Sequence, residues 1–207
     1  LLRLFLEFHP DIRFHLELHP PLLSDELKQE LARLPKGLLH LEAGIQSLKE
    51  AVLEKSRRIG RLADALNGLK YLCSLNNTVT HADLIAGLPL YHLPEIFDDV
   101  HTLAEYGAGE IQLESLKLLP GTEMRRRAEE LGIRYSPLPP YEVLQTREIT
   151  VDGLQTARFL SRLLDGYYNT PAWQSITRTL MLENKHFLSD FLNHLINIGL
   201  IDQPLSL

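Results

Sequence analysis

Four stretches of the sequence alternate apolar and polar residues with a period of two, and a helical pattern follows each of them. The stretches are IRFHLELHP, LLHLEAGIQS, TVTHADLIAGLP and EIQLESLKLLPGT, at residues 12–20, 38–47, 78–89 and 110–122. Period-two alternation is typical of β-strands, and a strand, a helix and a further strand form a right-handed crossover unit. The sequence therefore predicts an α/β fold with parallel strands and helices outside them.

One face of each predicted strand carries ionisable or amide side chains. These are His15, Glu17, His19, His40, Glu42, Gln46, His81, Asp83, Gln112 and Glu114. A buried polar group without a partner costs about 1–3 kcal/mol, whereas a whole domain is stable by only about 5–15 kcal/mol. These side chains must therefore meet water, one another or a bound polar molecule. Since a doubly wound sheet would be apolar on both faces, the pattern favours a wide, partial (β/α) barrel.

Capping signals mark the ends of the helices between these strands. Ser24 is a candidate N-cap, and Ser47 with Glu50 has the spacing of a capping box. Thr122 is expected to cap a short helix that ends before Gly132. The helix starts at Ser47 and Thr122 would also suit a bound anion, because free N–H groups point outward there.

The character of the sequence changes after residue 133. The stretch SPLPP has three prolines in five residues, so residues 134–149 are expected to form a proline-rich, extended connector over the surface. Only helical patterns follow it. We therefore expect residues 1–133 to form the barrel part and residues 150–207 to form an all-helical C-terminal extension.

Charge and cysteine content exclude several classes of site. The net charge is −6 and no basic stripe is present, which argues against a nucleic-acid partner. No stretch approaches the roughly 18 apolar residues of a membrane span, so a cytoplasmic location is expected. Cys73 is the single cysteine, which excludes a multi-cysteine site within the chain. Alternate residues of one strand stand about 7 Å apart, so His15, Glu17 and His19 favour a polar network, and no metal ligand is predicted.

Several motifs, in this order, resemble a known family. LEAGIQS followed by L-x-x-x-x-R, then HADLIAGLP, then LKLLPGT, resembles the latter part of the radical S-adenosylmethionine (SAM) fold. PPYEVLQT and GYYNTPAW are similar to the subgroup that carries an N-terminal cobalamin-binding-type domain and a C-terminal helical extension. The resemblance covers residue 11 onward. It implies a partial barrel in which SAM lies across the strand ends beside a four-iron cluster, with cobalamin as a further cofactor.

The resemblance also implies which residues bind SAM. Glu17 in LELHP matches the family's third-strand acid, Gln46 in GIQS the fourth-strand polar group, and Asp83 in HADLI a fifth-strand acid. These groups suit the ribose hydroxyls and the ammonium group of SAM. Arg58 in EKSRR matches the arginine that meets the methionyl carboxylate, and an arginine fork on a carboxylate is a strong, directional contact.

The backbone around Leu118, Pro120 and Gly121 would then lie near the adenine ring. Two parts of the family pattern are missing, namely the C-x-x-x-C-x-x-C loop that holds the cluster and the Gly-Gly-Glu type segment. A chain with one cysteine cannot hold that cluster, so the sequence resembles a C-terminal fragment that begins after the second strand. The fragment itself is expected to be inactive.

The resemblance implies that the intact protein is an iron-sulfur oxidoreductase or a methyltransferase-like enzyme. It would reduce SAM to a 5′-deoxyadenosyl radical that abstracts hydrogen, or pass a methyl group through cobalamin. Two other classes stay open from the residues. One is a non-catalytic scaffold whose helical extension binds a partner. The other is a barrel enzyme for a phosphorylated substrate, with anion sites at Ser47 and Thr122. The sequence does not indicate the substrate.

Overall fold

Four parallel strands form one sheet whose spatial order equals their order along the chain. The computed structural model describes residues 12–201 and 203. The strands are β1 (Phe14–Leu18), β2 (Leu39–Gln46), β3 (Val79–Ala86) and β4 (Glu110–Ser115). Each connection between them carries helices, as parallel neighbours require. The predicted α/β fold, a fragment of a partial barrel with parallel strands, is confirmed.

Helices lie between the strands and after β4, where the single helix expected after Thr122 is divided into two short ones at Arg127. They are α1 (Asp25–Arg33), α2 (Glu50–Lys55), α3 (Leu62–Ser74), α4 (Leu93–Glu105), α5 (Glu123–Arg126) and α6 (Ala128–Leu131). The Ser24 hydroxyl accepts a hydrogen bond from Leu27 N at 3.2 Å, and Thr122 accepts one from Arg125 N at 3.4 Å. Gly132 ends α6 in the left-handed conformation, with φ of 67°. The predicted caps at Ser24 and Thr122 are confirmed.

The predicted capping box at Ser47 is wrong. The residue before α2 is Lys49, and the Ser47 hydroxyl, which is fully buried, donates to Asp99 Oδ2 at 3.3 Å. The same carboxylate oxygen accepts the Leu48 N–H at 2.7 Å. A carboxylate from α4 therefore occupies the place that the sequence assigned to a bound anion near Ser47, and no external anion is needed there.

The outer face of the sheet packs against the helices and forms the core. Leu41 and Ala43 of β2, Ala82 and Leu84 of β3, and Ile111 of β4 are fully buried. Burying one leucine side chain contributes about 1.5–3 kcal/mol. These outward-facing residues alternate with the polar set of the inner face, so the same period of two that defines the strands also separates the core from the polar face.

Residues 134–149 contain more regular structure than the predicted connector. Two short strands, β5 (Arg134–Tyr135) and β6 (Val143–Gln145), pair antiparallel, and the peptide bond between Pro139 and Pro140 is cis. Val143 N donates to Leu116 O at 2.9 Å, which attaches this segment to the chain that leaves β4. The pairing of β5 with β6 on either side of the prolines thus hydrogen-bonds backbone groups that would face water in an extended connector.

The C-terminal extension is helical, as predicted. It comprises α7 (Val151–Leu163), which continues as a π-helical turn over Leu164–Tyr168, then α8 (Pro171–Glu183) and α9 (Phe187–Asn197). None of the helices in the described ranges is long and apolar enough to cross a bilayer. The domain boundaries at residues 133 and 149 and the cytoplasmic location stay predictions. Residues 1–11, 202 and 204–207 lie outside the described part.

The extension covers the edge of the sheet at β4. Asn169, which follows the π-helical turn, accepts from Ile111 N at 2.9 Å through Oδ1 and donates to Ile111 O at 3.0 Å through Nδ2. Tyr168 donates its hydroxyl to Ala108 O at 2.7 Å. One amide side chain therefore makes both hydrogen bonds that a neighbouring strand would offer to Ile111.

Candidate functional site

The strand register brings the predicted polar side chains onto one inner face. Glu17 of β1 is level with Glu42 of β2, and Gly44 of β2 is level with Asp83 of β3. Exposure of these side chains falls from the edge strand inward, since Glu17 is exposed, Glu42 is half-buried and Asp83 is buried. The inner face is therefore most enclosed at β3.

Gly44 is the point around which three of the predicted SAM-binding residues meet. A Cβ atom placed on Gly44 would lie 2.9 Å from Gln46 Nε2, 3.0 Å from Arg58 Nη2 and 3.7 Å from Glu17 Oε1. Arg58 Nη2 also donates to the Gly44 carbonyl oxygen at 2.7 Å. Only glycine leaves room for these side-chain ends. The sequence reasoning missed Gly44, although an isolated glycine inside a strand pattern signals a close approach.

Arg58 reaches the inner face from the turn that follows α2. Arg57 precedes it in the left-handed conformation, with φ of 55°, and Arg58 N donates to Leu53 O at 2.8 Å. Its Nη2 also lies 3.2 Å from His19 Nδ1, while its buried Nε has no hydrogen-bond partner. Burial lowers the pKa of the guanidinium and Glu17 opposes this effect. Arg58 thus remains a cation with a free donor.

Gln46 ends β2 in an unusual backbone conformation. Its φ is 70°, and the pairing of β2 with β3 slips by one residue between Gly44 and Gln46. A left-handed conformation at a residue other than glycine costs on the order of 1–2 kcal/mol, and bulges of this kind redirect side chains beside functional sites. The bulge directs the Gln46 amide back toward Gly44 and Arg58.

Asp83 is a buried carboxyl group with an unsatisfied oxygen. Its exposed fraction is 8%, and Oδ1 has no hydrogen-bond partner. Burial first, then the charge of Glu42 and a hydrogen bond with Glu42, and then the charges of Glu17 and Glu114, raise the pKa of Asp83 to about 8. The hydrogen bond from His15, 2.7 Å long, is the main cause that lowers the pKa of Glu42. At neutral pH Asp83 therefore holds a proton while Glu42 is ionised.

The residues predicted near adenine lie in the loop before α5. Leu118 is buried, its N–H donates to Tyr141 O at 2.9 Å and its carbonyl accepts from Arg125 Nη1 at 3.1 Å. Pro120 and Gly121 are exposed. The backbone groups of Leu118 are therefore already hydrogen-bonded, and the carbonyl of the exposed Gly121 accepts from Arg126 Nη1 at 2.8 Å.

An ion pair fixes this loop relative to the turn that carries Arg58. Arg57 Nη1 contacts Glu123 Oε1, which joins the residue before Arg58 to the first residue of α5. Both segments thus lie at the carboxyl ends of the strands, where ligands of parallel sheets bind. As SAM-binding residues, Glu17, Gln46, Arg58, Asp83, Leu118, Pro120 and Gly121 stay predictions.

Buried polar atoms without a hydrogen-bond partner concentrate on the inner face. Within residues 12–201 and 203 they are His40 Nε2, Ser56 Oγ, Arg58 Nε, His81 Nε2 and Asp83 Oδ1. All but Ser56 Oγ belong to side chains that line or reach this face. Since folded proteins pair nearly all of their buried polar groups, this face has the chemistry of a surface that binds a polar molecule or an ion.

Comparisons with known proteins give a family model that matches part of the chain and two solved structures with a similar fold. A family model described as a protein of unknown function (DUF4080) matches residues 129–197. No curated protein matches the chain. The structure is similar to the radical S-adenosylmethionine methyltransferase TsrM from Kitasatospora setae with cobalamin and a 4Fe-4S cluster bound, at a TM-score of 0.51 and 16% identity over 67% of this chain.

A second structure of TsrM, with tryptophan substrate and the SAM analogue aza-SAM bound, matches at a TM-score of 0.51 and 15% identity over 72% of this chain. In both cases the match covers 30% of the TsrM chain. The described chain therefore shares the fold of part of TsrM and spans about a third of that protein's length.

Proposed function

We propose that this chain is the SAM-binding part of a radical SAM protein of the subgroup with an N-terminal cobalamin-binding-type domain. In this proposal residues 1–133 belong to the barrel, residues 134–149 connect it, and residues 150–207 are its helical extension. The complete protein would act as an iron-sulfur oxidoreductase or as a methyltransferase-like enzyme. The observation that carries the proposal is the meeting of Glu17, Gln46 and Arg58 around Gly44.

The groups on the inner face fit the polar parts of SAM. Arg58 offers a cationic fork with a buried, unpaired Nε for the methionyl carboxylate. Gln46, Glu17 and Asp83 offer acceptors and donors for the ammonium group and the ribose hydroxyls, and Asp83 Oδ1 has no partner of its own. The backbone of Leu118, Pro120 and Gly121 would meet adenine, mainly through the exposed last two residues.

The residues of this chain do not fit the 4Fe-4S cluster. Cys73, the single cysteine, lies on α3, and burial raises the pKa of its thiol to about 11. Cluster ligands are thiolates, so the cluster would be held by cysteines outside this chain.

Arg58 is the residue whose replacement tests the SAM site. In the complete protein, Arg58→Ala is expected to weaken SAM binding in calorimetry by about tenfold or more, since a hydrogen bond to a charged group contributes about 1.5–3 kcal/mol. Arg58→Lys should recover only part of the affinity, because an ammonium group cannot form the bidentate fork. The fully exposed Arg61, paired with Asp64 at 2.8 Å, gives the control Arg61→Ala, which should bind SAM normally.

Unchanged affinity in Arg58→Ala, with an unchanged circular dichroism spectrum, would overturn the assignment of this helix and turn. The enzymatic part of the proposal has a separate test. The complete protein with a reconstituted cluster and a reductant should release 5′-deoxyadenosine or transfer the methyl group of SAM. SAM binding without either product would reject the enzyme and leave a SAM-binding scaffold.

A further inference from the structure

Three neighbouring strands bring metal-binding atoms together near their amino-terminal ends. His40 lies on β2, His81 on β3, and Glu110 is the first residue of β4. One nitrogen of each imidazole and one oxygen of the carboxylate all lie within 4.8 Å of one another. The reasoning that disfavoured a metal site on β1 does not apply here, because adjacent strands are only about 4.8 Å apart.

The two imidazoles and the carboxylate lie close together, yet both Nε2 atoms are left without a hydrogen-bond partner. The rings of His40 and His81 stand edge to face, with centroids 3.9 Å apart. His81 Nε2 lies 2.6 Å from Glu110 Oε2, and His40 Nε2 lies 3.9 Å from Glu110 Oε1. Neither Nε2 atom makes a hydrogen bond, although both atoms are buried and the exposed fraction of His81 is only 5%. A cation would satisfy both nitrogens and the carboxylate at once.

The surroundings hold the His81 ring in place. The Gln112 amide lies 3.2 Å from His81 Nδ1. With the amide turned by 180°, its oxygen accepts a hydrogen bond from Nδ1–H, which leaves the Nε2 lone pair free for a metal. Metal-binding histidines are commonly oriented in this way. His15 is hydrogen-bonded to Glu42 at 2.7 Å and so lies outside the ligand set.

We propose that His40, His81 and Glu110 bind a divalent first-row transition metal ion such as Zn²⁺, with at least one coordination position open toward the inner face. Two imidazoles and one carboxylate suit such ions. Tetrahedral Zn²⁺ with ligands at about 2.0–2.2 Å places them about 3.4 Å apart. Ligand atoms that now lie within 4.8 Å of one another therefore need to approach by about 1.4 Å at most. The site shares no residue with the proposed SAM site and does not rest on it.

The open coordination position would allow this ion to bind a further ligand. Three protein ligands with a free fourth position are the arrangement of zinc sites that bind water or a substrate oxygen. The ion would also join β2, β3 and β4 on the inner face. It therefore supplies a Lewis-acidic point at the amino-terminal end of the strands, whereas the proposed SAM site lies at their carboxyl ends.

Calorimetric titration of the chelator-treated 207-residue chain with ZnCl₂ tests the site. One equivalent of Zn²⁺ should bind with a Kd of about 1 µM or tighter. Titration with Co²⁺ should give a visible absorption band from nitrogen and oxygen ligands. Less than one equivalent of Zn²⁺, or micromolar affinity that no ligand variant changes, would overturn the proposal.

Variants of the three ligand residues distinguish this site from nonspecific binding of Zn²⁺ to other histidines. His81→Ala, His40→Ala and Glu110→Gln should each lower the Zn²⁺ affinity by about tenfold or more. The matched control is the His101 and Glu105 pair on α4, 3.4 Å apart, where His101→Ala and Glu105→Gln should leave the affinity unchanged.

Glu110→Gln preserves side-chain size and guards against a folding defect. Its circular dichroism spectrum without metal should equal that of the parent chain. Equal losses of affinity in the control pair and in the ligand variants would reject the assignment.

Discussion

Two buried aspartates, one on each side of the sheet, differ in what surrounds them. Asp99 on α4 is 1% exposed, and its Oδ2 accepts from Tyr91 Oη at 2.6 Å and from Leu48 N at 2.7 Å. Lys49 Nζ lies 3.3 Å from its Oδ1. Asp83 on β3 is 8% exposed, has no partner for Oδ1 and faces other carboxylates. Burial raises the pKa of both groups.

Burial alone therefore does not distinguish the two carboxyl groups, whereas their partners do. The outer aspartate completes a hydrogen-bonded network that fixes α2 and α4 on the sheet, so it serves folding. The inner aspartate shares a hydrogen bond with Glu42. Its Oδ1 atom has no partner, so that oxygen stays available to a ligand. We expect substitutions on the outer side to change stability, and substitutions on the inner face to change binding.

The largest effect is expected for Asp99→Ala. It leaves the Tyr91 hydroxyl and the Leu48 N–H unpaired, at about 1–3 kcal/mol each, so the free energy of unfolding should fall by about 2–6 kcal/mol in urea denaturation. The control is Asp98→Ala on the same helix, which removes a half-exposed ion pair with Lys185 and should cost about 1 kcal/mol or less. Equal losses in the two variants would contradict the structural role of Asp99.

Leu84→Ala is expected to have the next largest effect. Leu84 follows Asp83 on β3 but points to the outer face, where it is fully buried. Removing its side chain should lower the free energy of unfolding by about 2–5 kcal/mol. SAM affinity of the folded complete protein should be unaffected. A loss below about 1 kcal/mol would mean that the outer face does not hold the fold.

Gly44→Ala should act on binding far more than on stability. The new Cβ would meet the flexible ends of Gln46 and Arg58, so the free energy of unfolding should change by about 1 kcal/mol or less, while SAM affinity falls several-fold. Gly68→Ala is the contrast, because its Cβ would contact the backbone oxygen of Pro20 and should destabilise the chain clearly. Unchanged SAM affinity in Gly44→Ala would contradict the proposed SAM site around Gly44.

Besides its effect on SAM binding, Asp83→Asn should change the pH dependence of stability in the metal-free protein. The folded pKa of about 8 lies above the unfolded value of about 3.9. The carboxyl group therefore favours folding fully below pH 4, and this contribution is lost as the pH rises toward 8. In urea denaturation the variant should show a flatter decline in stability over this range. An equally steep decline in the variant would contradict the raised pKa of Asp83 in the folded chain.

Local patterns in the sequence predicted much of the fold and part of the inner face. The alternation of apolar and polar residues predicted the four strands of the sheet. The caps at Ser24 and Thr122 could be predicted because each involves a hydrogen bond to a residue three positions away. The failure at Ser47 has a long-range cause, because its partner Asp99 is 52 residues away. Periodicity also does not determine register, so it could not bring His40 and His81 together from different strands.

Asn169 blocks the free edge of β4 at Ile111. Because this amide occupies both hydrogen-bonding groups of Ile111, another strand cannot continue the ladder past β4 at this residue. The amide side chain thus takes the place of a neighbouring strand, and it hinders β4 from pairing with a strand of a second molecule. The opposite edge of the sheet, at β1, pairs with no further strand within residues 12–201, so the two edges differ in how they are protected.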